Sequence, residues 1–492
     1  MKPTAGHLVL IGVVSMSCSP AGEPSTEGAG SEPDLASRLT QARSADGAYI
    51  SWREHLIDDE GISGVELRGS DGLVMADLDG DGHLDIVSVH ESDDQYDGVP
   101  EGHIRIAFGS ADPDSWQLVT LAEGKEAGAA EDVAVGDFNG DGHLDVVAAC
   151  ELAHLIYFEN PGAKSRSDRW ERVIPPVTLD RGSFIRVFLA DLNDDGRLEV
   201  VTPNKGAQDP ERAQQDPKEI SFFQIAGSPL DGEAWIEHPL TLVPWPINSQ
   251  PVDLDGDGDV DIVGGSVAER RIMWFENRGR EGEFEFVEHP IDLVAGRNVE
   301  PDAALTTAGF NMDFVDLSGD GRLDIVTLDM PPLLGQRLVW LEQPAAPGMP
   351  WRIHLLGNYR PDSIVGVAVA DIDSDGDPDV MTGGYSRGSR VSDGEAGVSD
   401  PLGRLAWWEN PGEMDADWTR HDFSRRERGM FDKFIPLDMD GDADVDFVGT
   451  RGNSGPFDGV FWLEQVRSAQ PLRAFQQARE QESPELPLPS AD

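Results

Sequence analysis

Oxygen donors recur in this chain at a spacing that suits a hard metal ion. Between Pro251 and Gly265, PVDLDGDGDVDIVGG, aspartates stand at 253, 255, 257 and 261, with Gly258 where the chain must reverse. Alternate residues of a tight loop turn inward. Side chains at positions 1, 3 and 5, the carbonyl of position 7 and a carboxylate at position 9 can therefore converge on one point, and that set of oxygens describes a calcium cage. The pattern begins seven times, at Asp77, Asp137, Asp191, Asp253, Asp316, Asp371 and Asp438. The side-chain ligands are then Asp77, Asp79, Asp81, Asp85; Asp137, Asn139, Asp141, Asp145; Asp191, Asn193, Asp195, Glu199; and Asp253, Asp255, Asp257, Asp261. The last three copies supply Asp316, Ser318, Asp320, Asp324; Asp371, Asp373, Asp375, Asp379; and Asp438, Asp440, Asp442, Asp446. Only Asn139, Asn193 and Ser318 are not acidic, and they too are oxygen donors.

An EF-hand would need a bidentate Glu at position 12 and a helix after it. Position 12 here is Ser88, Ala148, Thr202, Gly264, Thr327, Thr382 or Gly449, within β-forming runs such as Asp-Ile-Val and Glu-Val-Val. The loops are therefore turns of hairpins. Glycine holds position 6 in six copies, where the turn requires φ > 0, and Ala443 replaces it in the seventh, which makes that loop the weakest candidate.

Two further segments recur with the loops at a period of about 60 residues. One is an aromatic run ending in a turn, as in Ile156-Tyr157-Phe158-Glu159-Asn160-Pro161-Gly162; the other is a Trp-x-x-His segment, as in Trp52 to His55 and Trp351 to His354. Each unit reads as inner strand, metal hairpin, second strand, aromatic third strand and outer fourth strand. Seven such units predict an all-β, seven-bladed β-propeller of four-stranded antiparallel blades. The chain opens on a fourth strand and ends on a third, so Trp52 to Ile57 should pair with Val460 to Gln465 and close the ring. Asp-x-Asp-x-Asp-Gly-x-x-Asp with these flanking strands resembles the FG-GAP or VCBS repeat, the calcium-loop propeller unit also found in integrin α chains. The resemblance spans about Tyr49 to Arg467. It implies up to seven structural calcium ions and says little of function, because propellers carry unrelated activities.

Lys2, the apolar run Leu8 to Val14 and the small residues ending at Cys18 read as an export signal over residues 1–18, too short to span a bilayer. Ser15-Met16-Ser17-Cys18 resembles a bacterial lipobox, departing from it at Ser15. A lipid-anchored envelope protein or a secreted one is expected, touching membrane only through that anchor. Residues 19–46, rich in Ser, Gly, Glu and Pro, read as a flexible tether. The propeller is placed at 47–467, and 468–492 as a tail with a short helix from Ala469 to Glu480 and then disorder. The net charge of −54 excludes nucleic acid and anionic lipid surfaces as partners. Cys150, in a strand-like run, reads as a buried apolar side chain.

His55, His238, His289, His354 and His421 share one repeat position, so they are read as structural, like the repeated tryptophans. What differs between blades is more informative. The long insertions Glu91 to Gly102, Pro203 to Lys218, Tyr385 to Arg404, Arg451 to Gly459 and Asp292 to Asn311 fall on the face opposite the metal loops. Arg186, Lys205, Arg271, Arg387, Arg390, Lys433, Arg451 and Asn453 lie there or at its edges, a candidate site for an anionic ligand. Two functions follow. The first is a monomeric, non-catalytic binding protein for glycan or protein. The second is a carbohydrate-active lyase or dehydratase, since aldos-2-ulose dehydratase and some polysaccharide lyases are similar propellers. Elimination would draw cations from Arg186, Lys433 and Arg451 and a base from His90, His154 or Tyr385. No nucleophile motif, phosphate loop or His/Cys metal cluster is present, which favours binding.

Overall fold

The computed structural model describes residues 33–489 apart from 93–94, 153, 168, 300–305, 330–334, 389–396, 398, 414–415 and 480–482. The expected signal segment, Cys18, the first part of the tether and Arg390 lie outside the described residues.

Asp85–His90, the second strand of the first blade, shows why these residues become strands. It is DIVSVH, rich in β-branched residues and buried throughout. Successive side chains point to opposite faces, so Ile86 packs towards the seventh blade while Val87 and Val89 pack towards the second. A strand buried on both faces needs apolar residues at both parities. The same logic repeats around the molecule: six apolar clusters fill the space between two neighbouring blades, and a seventh, between blades 5 and 6, reaches on to Ile185 and Ile247 of blades 3 and 4. Each buried Val, Ile or Phe contributes about 1.5–3 kcal/mol.

The blades follow in chain order. Blade 1 is Ser70–Ala76, Asp85–His90, His103–Phe108 and Gln117–Glu123; blade 2 is Ala130–Gly136, Asp145–Cys150, His154–Glu159 and Glu171–Val173. Blade 3 is Phe188–Ala190, Glu199–Pro203, Lys218–Ile225 and Trp235–Val243; blade 4 is Pro246–Val252, Asp261–Ser266, Arg271–Asn277 and Phe286–Pro290. Blade 5 is Met312–Val315, Asp324–Leu328, Arg337–Glu342 and Trp351–Asn358; blade 6 is Ile364–Ala370, Asp379–Gly384, Gly403–Glu409 and Thr419–Arg426. Blade 7 joins Phe434–Leu437, Asp446–Arg451 and Gly459–Ser468 to Tyr49–Asp59 from the start of the chain. This closure is antiparallel, with Trp52 opposite Gln465 and His55 opposite Trp462. The seven-bladed propeller and its closure by both ends are thus observed.

Two boundaries differ from expectation. The described end of the tether packs on the ring: Leu35, Ala36 and Ala42 are buried, Thr40 donates its N–H to the Leu472 carbonyl at 2.9 Å, and Ala45 donates to the Asp373 carbonyl at 2.8 Å. The tail forms no helix between Ala469 and Arg479. Phe475–Gln476 instead adds in parallel to Trp52–Arg53, with the Phe475 ring 5.8 Å from that of Phe423. Further on, Leu486 donates to the Arg425 carbonyl at 2.8 Å, and the Glu485 carboxylate accepts from Ser424 Oγ at 2.7 Å and Arg425 N at 2.9 Å. An outer strand leaves a row of backbone groups unpaired, and that edge outcompetes a weak local helix.

Candidate metal centres and the opposite face

Each loop is organised by its own carboxylates. In the first, Asp77 Oδ1 accepts the N–H groups of Gly80 at 2.8 Å and Asp81 at 3.1 Å, while Oδ2 accepts that of Gly82 at 3.0 Å. Asp79 Oδ1 then accepts from Asp81 N and Asp81 Oδ1 from His83 N. The position-1 bond to position 6 recurs at Gly142, Gly196, Gly258, Gly321, Gly376 and Ala443. Ala443 takes φ +74°, so the seventh loop keeps its shape despite lacking glycine.

Position 9 is the buried pivot. Asp261 Oδ2 accepts from Leu254 N at 3.1 Å, and Oδ1 from Asn277 N at 2.7 Å, at the end of the third strand. Burial pushes these carboxyls up, Asp85 to about 6, Asp261 to about 7 and Asp379 to about 8. In blade 2 the Tyr157 hydroxyl donates to Asp145 Oδ2 at 2.7 Å. The amide that ends the third strand, read above only as part of a turn at Asn160, proves equally important. Asn277 Nδ2 donates to the carbonyls of Val260 at 3.1 Å and, in the preceding blade's loop, of Leu192 at 2.8 Å. Asn160, Gln343 and Gln465 make the same bond to Leu78, Leu254 and Ile372, so these amides staple successive loops together.

Carboxylates of positions 1, 3 and 9 gather within metal-binding reach in four loops, as Asp77, Asp79, Asp85; Asp253, Asp255, Asp261; Asp371, Asp373, Asp379; and Asp438, Asp440, Asp446. The other three carry Asn139, Asn193 or Ser318 at position 3, which breaks the acidic trio but retains an oxygen. The donor set is oxygen throughout and fits a hard divalent ion. The first loop also has a resident cation: Arg166 of blade 2 pairs with Asp79 and, at 2.7 Å, with Asp81.

The repeated histidines are structural. His55, His354 and His421 stack on Trp462, Trp340 and Trp407 with centroids 4.1–4.5 Å apart, and His289 lies tilted 4.8 Å from Trp274. Their Nε2 atoms meet Glu464, Glu342, Glu409 and Glu276 at 2.5–2.9 Å. In blade 3 that glutamate is Gln224, and His238 stacks on Phe222 with no partner for Nε2.

On the opposite face the expected basic patch is matched by acids. Arg186 is buried and reaches Asp432 of blade 7 at 3.0 Å and Glu131 of blade 2 at 3.6 Å. Lys205 pairs with Glu151, Arg271 with Glu269 and Glu288, and Arg387 with Asp400. Arg451 is buried against Ser454, and Asn453 donates to the Ser386 carbonyl at 3.0 Å. Tyr385 bridges Met430. His90 is buried between Ser70 and Ser88, its pKa held well below the usual range by desolvation. His154, also buried, meets the Glu126 carbonyl at 2.8 Å. Lys433 sits half-buried, within electrostatic reach of Asp132 and Asp313. The inner strands and the loop entering that of blade 7 thus gather Asp71, Glu131, Asp132, Asp313 and Asp432 near Arg186 and Lys433, acids that the loop-centred reading passed over. Burial and the charges of Glu151 and Glu91 raise the Glu131 pKa well above normal. The mouth is acidic on balance, not a focused positive site. The insertions there interlock, with Gln208 of blade 3 donating to Glu91 of blade 1 at 3.1 Å.

No curated protein matches the chain. The FG-GAP-like repeat family matches it over residues 77–148, 137–202 and 253–327, segments that contain the loops beginning at Asp77, Asp137, Asp191, Asp253 and Asp316. The loops at Asp371 and Asp438 lie outside those segments and have the same backbone bonds. Over these segments the chain carries FG-GAP-like repeats, and the same hairpin recurs seven times in one ring.

Proposed function

We propose that this is an exported, calcium-stabilised propeller acting as a monomeric, non-catalytic binding protein in the cell envelope or outside it. Its ligand is a glycan or protein taken at the face opposite the metal loops. The observation that carries the binding reading is the commitment of the acid–base candidates. The four histidines with a glutamate partner are held in ring contact and ion pair, His90 and His154 are buried, Arg186 is buried against acids of blades 2 and 7, and Arg451 is buried. The calcium reading rests on the oxygen-only donor sets of the loops. Bound calcium would cancel carboxylate repulsion and lock each hairpin, with the Asp, Asn, Ser318 and Glu199 side chains at positions 1, 3, 5 and 9 holding it. Export rests on the Lys2 to Cys18 segment.

Thermal unfolding with and without EDTA tests the metal: the midpoint should fall sharply on chelation, and equal midpoints would remove calcium from the reading. For the ligand, the calcium-loaded protein is passed over a panel of immobilised polysaccharides while ultraviolet absorbance follows formation of unsaturated uronate. Retention without absorbance supports binding. Rising absorbance that is lost in Lys433→Ala would make the protein a lyase.

A further inference from the structure

Among the metal loops, the first differs in what meets its ligand oxygens. At positions 3 and 5 the loop's own backbone uses one oxygen of each carboxylate: Asp79 Oδ1 accepts from Asp81 N at 3.2 Å, and Asp81 Oδ1 from His83 N at 2.9 Å. The other oxygen of each is taken by Arg166 of blade 2. Its Nε donates to Asp79 Oδ2, and its Nη2 to Asp81 Oδ2 at 2.7 Å. One guanidinium thus spans two of the four side-chain ligands. In the fourth loop Asp255 and Asp257 make the same backbone bonds, and among the described residues no cation pairs with either. At the sixth loop the following blade also brings an arginine, Arg467, but it donates to Ser374 Oγ at 2.8 Å, outside the ligand set. In the fifth, Arg322 pairs with one ligand of its own loop, Asp320.

Arg166 is placed by its own blade. It sits between the third and fourth strands of blade 2, in a turn closed by Ser165 N donating to the Gly162 carbonyl at 2.8 Å. The buried Trp170 fixes that turn from below, its Nε1 donating to the Ser165 carbonyl at 2.9 Å. Asn160, at the start of the same segment, holds the Leu78 carbonyl of the first loop at 2.8 Å. The guanidinium carbon also lies 5.2 Å from the centre of the Phe108 ring. A planar fork carried by a fixed turn loses little freedom in meeting two carboxylates, unlike an isolated surface pair.

We propose that Arg166 is a calcium-released latch between blades 1 and 2, the internal counterion of Asp79 and Asp81 until the first loop takes its ion. The proposal rests on the calcium reading above. The two oxygens that Arg166 holds are those that positions 3 and 5 have left to offer a metal, and a guanidinium beside a divalent cation is repelled by it. Arg166 must therefore give up both carboxylates. The first loop binds calcium more weakly than the fourth, which has the same acidic trio without the arginine, and filling it loosens the Arg166 contact that blade 2 makes with blade 1.

The test is calorimetric titration of calcium into the full chain, joined to thermal unfolding in EDTA and in calcium. Arg166→Gln should tighten one site about tenfold, lower the midpoint in EDTA and leave the midpoint in calcium equal or higher. A merely structural contact would lower both midpoints and tighten no site. Arg166→Lys, which keeps the charge without the fork, should gain less. Arg169→Gln removes an exposed arginine three residues on and should change neither quantity, which separates the latch from the loss of one positive charge. In Asp77→Asn/Arg166→Gln the gain should vanish, because Asp77 belongs to the first loop. Unchanged calcium affinity in Arg166→Gln, or an equal fall of both midpoints, would overturn the latch and leave the calcium reading standing. No calcium heat from the unaltered chain, with equal midpoints in EDTA and calcium, would remove both.

Discussion

At the scale of single residues, the repeat is held together by side chains whose work is to satisfy backbone groups. Asn277 gives both its amide hydrogens to buried carbonyls, those of Leu192 and Val260, and so links the loops of blades 3 and 4. Asn277→Ala leaves both without that donor and should lower stability by about 1–3 kcal/mol, measured by urea unfolding in calcium. The position-9 carboxyls have the opposite character. Raised by burial to between about 6 and 8 in Asp85, Asp261 and Asp379, against about 4 in an unfolded chain, they keep protons in the fold that the unfolded chain releases. Their contribution is therefore full below about pH 4 and lost as pH rises through about 6 to 8. In EDTA the thermal midpoint should fall between about pH 5 and pH 8; in calcium, which requires the ionised carboxylates, the fall should disappear or reverse.

At the scale of elements, the metal hairpin is a turn that depends on one backbone conformation at position 6. Position 6 has φ between +74° and +101° in all seven copies, and six fill it with glycine. At most of these glycines an added Cβ would meet nothing, so the preference is one of backbone conformation rather than space. Ala443 bears the left-handed cost alone. Ala443→Gly should relieve about 1 kcal/mol, partly offset by the greater freedom glycine gives the unfolded chain. The net gain of about 0.5 kcal/mol should appear as a higher midpoint in EDTA and as tighter calcium binding at one site by calorimetry. No gain would mean that the loop tolerates alanine without strain.

At the scale of the whole molecule, charge and closure oppose each other. The ring is sealed by ten residue pairs between Tyr49–Asp59 and Gly459–Ser468, while 92 acidic residues against 38 basic ones push its parts apart. The loops concentrate that repulsion on one face. Without calcium, added monovalent salt should raise the thermal midpoint by screening the exposed loop carboxylates. With calcium bound the salt effect should be smaller. Equal salt effects in both states would show that the repulsion resides elsewhere on the surface.

The periodic features were legible in the chain alone. Seven loops with Asp at positions 1 and 5 and Asp, Asn or Ser at position 3, each followed by β-branched residues, set the strand count and the hairpin order, and the odd strands at Trp52 and Val460 announced the closure. These follow from local rules, because turn chemistry and alternation act over a few residues. The Trp-x-Glu of a third strand meeting the His of a fourth was also readable, in retrospect, as a repeated cross-strand contact. The unrepeated parts depended on the tertiary fold. Arg186 looked like a free cation until the ring placed Asp432 and Glu131 beside it, and the tail looked helical until the rim of blade 7 supplied an unpaired edge for Phe475. Such pairings join residues tens to hundreds of positions apart, so local sequence carries no signal for them. They are decided by which inner strands face one channel and which outer edges remain open.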